Sequence, residues 1–124
     1  MKDALQLSLA TGFNAEDGTV DLEAIGKQLL LSKADLGHLA GLSLDTIKKR
    51  DRLAAPAPQK RLNEMMQILL RVQPWAGSGA QALAWYRAQG IPSFGDMTAA
   101  QLVKQGRAND VLDYLDRIAE CGFA

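Results

Sequence analysis

Residues 32–52 read Ser32-Lys33-Ala34-Asp35-Leu36-Gly37-His38-Leu39-Ala40-Gly41-Leu42-Ser43-Leu44-Asp45-Thr46-Ile47-Lys48-Lys49-Arg50-Asp51-Arg52. Two serines open two helical patterns, because a serine hydroxyl accepts from a free backbone N–H of a first helical turn. Asp35, three residues after Ser32, completes a capping-box-like pair. The first helix is predicted to run through residue 40, and Gly41 ends it, since glycine tolerates a left-handed turn. The second is predicted from Ser43 to about residue 53. Leu36, Ala40, Leu42 and Ile47 form a small apolar seam between them, with Gly37 where the helices cross closely. These are the proportions of a helix-turn-helix.

Working outward, the formal net charge is zero, but its distribution is uneven. Residues 1–32 hold two basic and five acidic side chains. Residues 33–61 hold seven basic and three acidic, for a local charge of +4, and residues 62–124 hold five basic and six acidic. Lys48, Lys49, Arg50, Arg52, Lys60 and Arg61 supply most of the basic segment. A basic patch in a neutral chain suits an anionic partner at one place, and it equally suits a solvated helix face. In the first reading the second helix enters the major groove of DNA and Ser43, Asp45, Thr46, Lys48, Lys49 and Arg52 point outward. Ser43 and Thr46 can bond to bases or phosphates. Lys48, Lys49 and Arg52 neutralise phosphates, which gives affinity without sequence information. Asp45 is awkward beside phosphates but can accept from cytosine N4. In the second reading the pair is a scaffold only.

The rest of the chain also reads as helices, with β-branched residues sparse and no sustained alternation. Asp21 can cap a helix to about residue 31. Ala54-Ala55-Pro56-Ala57-Pro58 reads as a stiff break, since proline disfavours a helical residue before it. A long amphipathic helix is predicted over 59–72, with Leu62, Met65, Met66, Leu69 and Leu70 at helical spacing. The methionines suit a core stripe or a soft partner surface. Pro74-Trp75-Ala76-Gly77 is read as a turn, Ser78 as the cap of a helix to about residue 89, and residues 91–95 as a loop. Thr98 and Gln101 form a capping box, Gly106 closes that short helix, and the last helix starts near Asn109. Its apolar stripe is Val111, Leu112, Leu115, Ile118 and Ala119. The expected fold class is all-α, organised as an N-terminal segment and helix-turn-helix over 1–55, a connecting or dimerisation helix over 56–73, and a small helical domain over 74–124.

From residue 33 onward the chain resembles the Xre/MbcA/ParS-type antitoxins of type II toxin–antitoxin systems. The resemblance is carried by Arg61-Leu62 and Ile68-Leu69 in the linker helix, Trp85, Pro92 with Phe94-Gly95, Thr98 and Leu102, and Gly106-Arg107. It continues through Val111, Leu115, Arg117-Ile118 and Gly122-Phe123-Ala124. The chain departs from the family pattern at Ala99, where proline is common, and at Cys121, where a second glycine is usual. The resemblance implies an Xre-like helix-turn-helix followed by a toxin-binding domain. It implies a homodimeric antitoxin that blocks the active site of a cognate toxin, with the NAD-consuming RES class favoured, and that represses its own operon through operator DNA. Carried over by position, the toxin-facing residues are Phe94, Gly95, Arg107, Arg117, Gly122, Phe123 and Ala124. Trp85 and Tyr114 read as packing residues. The alternative is a stand-alone transcriptional regulator whose C-terminal half only dimerises.

A catalytic reading needs a convergent nucleophile, base and orienting group, or a metal cluster. The chain has one histidine and one cysteine, His38 and Cys121, in different segments. No enzyme, cofactor or metal is expected. The single cysteine, the absence of a signal-peptide pattern near Met1 and the short apolar run Leu29-Leu30-Leu31 predict a cytoplasmic protein without a membrane span.

Overall fold

Among the described residues, five helices begin on a side-chain oxygen that satisfies a backbone N–H which the helix itself leaves free. Asp21 accepts from the N–H of Ala24, Ser32 from Asp35, Ser43 from Thr46, Ser78 from Gln81 and Thr98 from Gln101. At Thr98 the Gln101 side chain also accepts from the Thr98 N–H at 2.9 Å, so the capping box is complete. The computed structural model describes residues 19–121. Along them run α1 (Leu22–Leu29), α2 (Lys33–Leu39), α3 (Leu44–Lys48), α4 (Arg50–Leu53), α5 (Pro56–Ala76), α6 (Gly79–Ala88), β1 (Gly90–Ile91), a 3-10 turn (Pro92–Phe94), β2 (Met97–Thr98), α7 (Ala99–Lys104) and α8 (Ala108–Cys121). The fold is all-α, and the described residues hold one small hairpin beside the helices.

The core is organised on α5. Leu62, Met65, Met66, Ile68, Leu69 and Val72 have no exposed surface. The spacing of these residues gives α5 an apolar face broad enough to be covered by α6, α7 and α8, all of which pack on it. The methionine pair is therefore core, and this apolar face of the segment over 56–73 is covered within the chain. One hydrophobic cluster runs from Val20 to Leu115 and takes in Leu36 and Ile47 as well as Tyr86 and Val111.

Polar side chains tie distant segments to this spine. Gln59 accepts from the Val20 N–H at 2.8 Å and donates to the Leu53 carbonyl at 2.9 Å. Arg61 donates to the carbonyls of Val103 and Lys104, where α7 has run out of its own donors. The hydroxyl of buried Tyr86 donates to the Leu39 carbonyl at 2.8 Å, joining α6 to α2. Burial pushes this phenol far above its ordinary range, Glu64 pushes it further and Arg61 opposes the shift, so it stays a neutral donor.

Several expectations are corrected. The helix expected over 43–53 breaks at Lys49, whose φ of −101° and ψ of 114° are extended. Ile47, before the break, is buried, and Leu53, after it, packs partly buried against the same core. Pro56 and Pro58 open α5 and do not precede it. The first turn has no internal use for their missing N–H groups, and Ala55, before Pro56, is extended at ψ 155°. Pro74 lies inside α5, which continues to Ala76 and is stopped by Gly77 at φ 106°. A proline this near the end removes a single hydrogen bond. The boundary drawn between 73 and 74 thus falls within a helix. Of the loop expected over 91–95, Ile91 belongs to β1 and residues 92–95 lie in the tip of a hairpin, with Gly90 opposite Thr98 and Ile91 opposite Met97.

One polar atom is left over in this core. Gln73 is 3% exposed, and its Nε2 has no hydrogen-bond partner among the described residues. Gln73→Met should raise stability by about 1 kcal/mol, whereas Tyr86→Phe should lower it by about 1–2 kcal/mol, both read from urea unfolding midpoints.

Candidate functional site

The outward face of α3 and α4 depends on how closely α2 and α3 cross. A Cβ on Gly37 would lie 2.4 Å from Ile47 Cδ1, and Ile47 is itself buried at 2% exposure. A side chain at this crossing would force Ile47 out of its place. Gly41 adopts φ +85°, and a Cβ there would lie 3.2 Å from Lys104 Cα, so the turn requires glycine for both conformation and space. His38 fastens the same turn: its Nδ1 lies 3.0 Å from the Leu42 carbonyl, which can only accept, so the ring donates from Nδ1.

On the face so positioned, the six residues proposed for DNA do not remain six independent groups. The Ser43 hydroxyl accepts from the Thr46 N–H at 3.2 Å and donates to Thr46 Oγ1 at 3.0 Å, so both hydroxyls are engaged in the cap. The Asp45 carboxylate lies 3.7 Å from Lys49 Nζ and is hydrogen-bonded by Arg52 Nη1. Lys48 is exposed and makes no ion pair with a described residue. Arg61, counted with the basic patch in the sequence, is withdrawn from it as the clamp on α7. Arg50 is exposed and lines an open cleft with Asp21, Glu23, Lys33 and Gln59.

The residue that sequence reasoning passed over here is Leu44. It is 44% exposed at the first position of α3, beside Asp45. Its leucine character reads as seam or core, and only the turn of the short helix shows that it faces out.

A second surface forms where the hairpin meets α8. The Phe94 ring packs edge-on against Tyr114, with centroids 6.4 Å apart and planes at 69°. The Arg107 guanidinium lies over the Phe94 ring, 5.5 Å from its centre, and Arg107 Nε donates to Asp110 Oδ2 at 2.8 Å. Two residues proposed to face a toxin, Phe94 and Arg107, are thereby brought into one cluster, with Tyr114 and Asp110 holding them. Gly95 adopts φ +64° with open space around its Cβ position, so conformation and not crowding requires glycine. Asp96 follows at φ +63°, a conformation aspartate tolerates better than most residues. Arg117 is exposed one turn beyond Tyr114 on α8. Gly122, Phe123 and Ala124 lie outside the described residues.

Trp85 is half-buried and receives Trp75 edge-on, with centroids 5.8 Å apart and planes at 88°. Trp75, read as part of a turn, instead stands 39% exposed near the end of α5. It lines a shallow groove with Leu115, Ile118 and Ala119, over which Arg71 pairs with Asp116. Among the described residues no three His, Cys, Asp or Glu side chains are grouped as a metal site requires, and no helix is long and apolar enough to cross a membrane.

In comparisons with known proteins, no family model, no curated protein and no solved structure matches the chain.

Gly37→Ala should displace α3 and cost about 1–3 kcal/mol by overpacking. Combining it with Ile47→Val, which removes the clashing Cδ1, should recover part of that loss in urea unfolding. An undiminished stability in the single variant would show that α2 and α3 do not cross at Gly37.

Proposed function

We propose that this protein is a non-catalytic inhibitor of a partner protein, an antitoxin whose C-terminal surface binds a cognate toxin and whose α2–α3 pair binds operator DNA. The observation that carries the first half is the Phe94–Arg107–Tyr114 cluster. An aromatic ring, a guanidinium and a phenol ordered together on a half-exposed surface match the composition of binding hot spots, which favour aromatic residues and arginine. Arg107 is already oriented by the Phe94 ring and Asp110, so less freedom is lost when it meets a carboxylate on a partner. The order and spacing of the family-like residues in the sequence point to a toxin as that partner, with the RES class favoured. By the same resemblance the sequence Gly122-Phe123-Ala124 is assigned to the toxin-facing set.

The second half rests on the α3 surface. Lys48 presents a charge with no ion-pair partner among the described residues, Leu44 and Thr46 stand on the same short helix, and the Gly37 crossing fixes its orientation. A homodimer suits the paired half-sites that such helices read. The connecting helix cannot supply its interface through the stripe already buried by α6, α7 and α8.

Co-expression with the product of the adjacent gene tests the inhibitor reading. The unmutated chain should restore growth and co-purify with that product. Phe94→Ala should weaken the complex by about 30-fold or more, as loss of a hot-spot aromatic does, with the helical circular dichroism unchanged. Removing residues 122–124 should abolish neutralisation and leave DNA binding intact. Full neutralisation by both variants would overturn this surface as the inhibitory one.

The DNA reading is tested separately. Lys48→Ala should weaken binding of a duplex carrying the upstream region of the coding sequence and lower the slope of log affinity against log salt by about 1. An unmutated chain that binds no duplex at low salt would overturn this half.

A further inference from the structure

We propose that Asp45 is an internal counter-ion that masks Lys49 and Arg52 and so holds down the affinity of the α3–α4 face for DNA of arbitrary sequence. This rests on the reading of that face as a DNA surface. Asp45 lies on α3 and Arg52 on α4, seven residues apart, a spacing that on a continuous helix separates two positions by about 10.5 Å along the axis. The extended backbone at Lys49 ends α3, and from α4 the Arg52 guanidinium reaches the Asp45 carboxylate. Lys49 approaches the same carboxylate from the next turn, 3.7 Å away. One carboxylate thus occupies the position between two cations that a backbone phosphate would take.

The arrangement has a defined effect on binding. Nonspecific affinity for duplex DNA comes from cations that displace the counterions condensed on it, and each phosphate contact adds about 0.9 to the salt slope. With Asp45 in place, Lys49 and Arg52 must exchange their carboxylate for phosphate, and the freed carboxylate is left beside a polyanion. All three side chains are more than half exposed. Pairs this exposed are weak, so the mask is a graded brake that a well-fitting site can overcome and not a lock. It leaves Lys48, which lies outside the pair network, as the cation of α3 free for first contact.

The test uses the full chain and a random-sequence 30-base-pair duplex, with affinity measured by fluorescence anisotropy over a salt series. Asp45→Asn keeps the shape of the side chain and removes its charge. The variant should bind about tenfold tighter near 0.1 M salt, with a slope steeper by about 1 to 2, matching one or two newly available phosphate contacts. The same substitution made on a Lys49→Ala, Arg52→Ala background should give a much smaller gain, since no masked cation remains to be released. Equal gains in the two backgrounds would overturn masking in favour of simple repulsion by the aspartate. Equal affinity and slope for Asp45→Asn and the unmutated chain would overturn the proposal while leaving the DNA reading intact. Absence of duplex binding by both proteins at low salt would overturn the DNA reading itself, and the proposal with it. Circular dichroism of each variant confirms that α3 and α4 persist.

Discussion

Everything in this molecule leans on the fully buried stripe of α5. Six apolar side chains from Leu62 to Val72 are removed from water, and three later helices reach the core by packing on them. Burial of this kind is non-directional, so it draws helices together without fixing where they stop. The stops come from polar clamps on the flanks of the same helix. Gln59 and Arg61, two residues apart near its start, reach in opposite directions along the chain, one to Val20 and Leu53 and the other to Val103 and Lys104. Tyr86 adds a third tie from α6 to α2. A hydrophobic spine with polar clamps gives one continuous core, and with it a fixed relation between the α3 surface and the hairpin surface.

That relation explains why glycine is needed at the small pair of helices. Gly41 must be left-handed and must also let the backbone of α7 approach, because Lys104 lies against it. The end of α7 is in turn held by Arg61 from α5. The turn between α2 and α3 is thus braced by the C-terminal half, and a change that loosens α7 also loosens the face proposed to meet DNA.

Much of this was legible in the sequence where the signal is local. The caps at Asp21, Ser32, Ser43, Ser78 and Thr98 could be read because each involves atoms within three residues. The seam of Leu36, Ala40, Leu42 and Ile47, the close crossing at Gly37 and the stripe on α5 follow from helical periodicity alone. The failures have a common cause in tertiary context. Pro56, Pro58 and Pro74 were read as interruptions because the rule for proline concerns a helix interior, whereas the first turn has no use for the N–H groups that Pro56 and Pro58 lack, and Pro74, near the other end, costs α5 a single hydrogen bond. The break at Lys49 carries no glycine, proline or side-chain cap that a local pattern could register. The hairpin escaped because two strands of two residues offer no alternation to detect.

Charge was the least legible property, for a reason that also bears on function. Composition counts Lys49, Arg52 and Arg61 as equal members of a basic patch, but a cation's effect on a distant partner depends on what it already holds. Arg61 is committed to backbone carbonyls, and Lys49 and Arg52 share a carboxylate. At the hairpin, Phe94 and Arg107, grouped in the sequence only by resemblance, pack directly against one another. Both arginines hold a carboxylate, Arg107 that of Asp110 and Arg52 that of Asp45. The difference lies in the second contact: the Phe94 ring lies against the Arg107 guanidinium, whereas Arg52 shares its carboxylate with Lys49. An aromatic ring restricts a guanidinium without adding a competing cation, whereas a shared carboxylate ties two cations to one counter-ion.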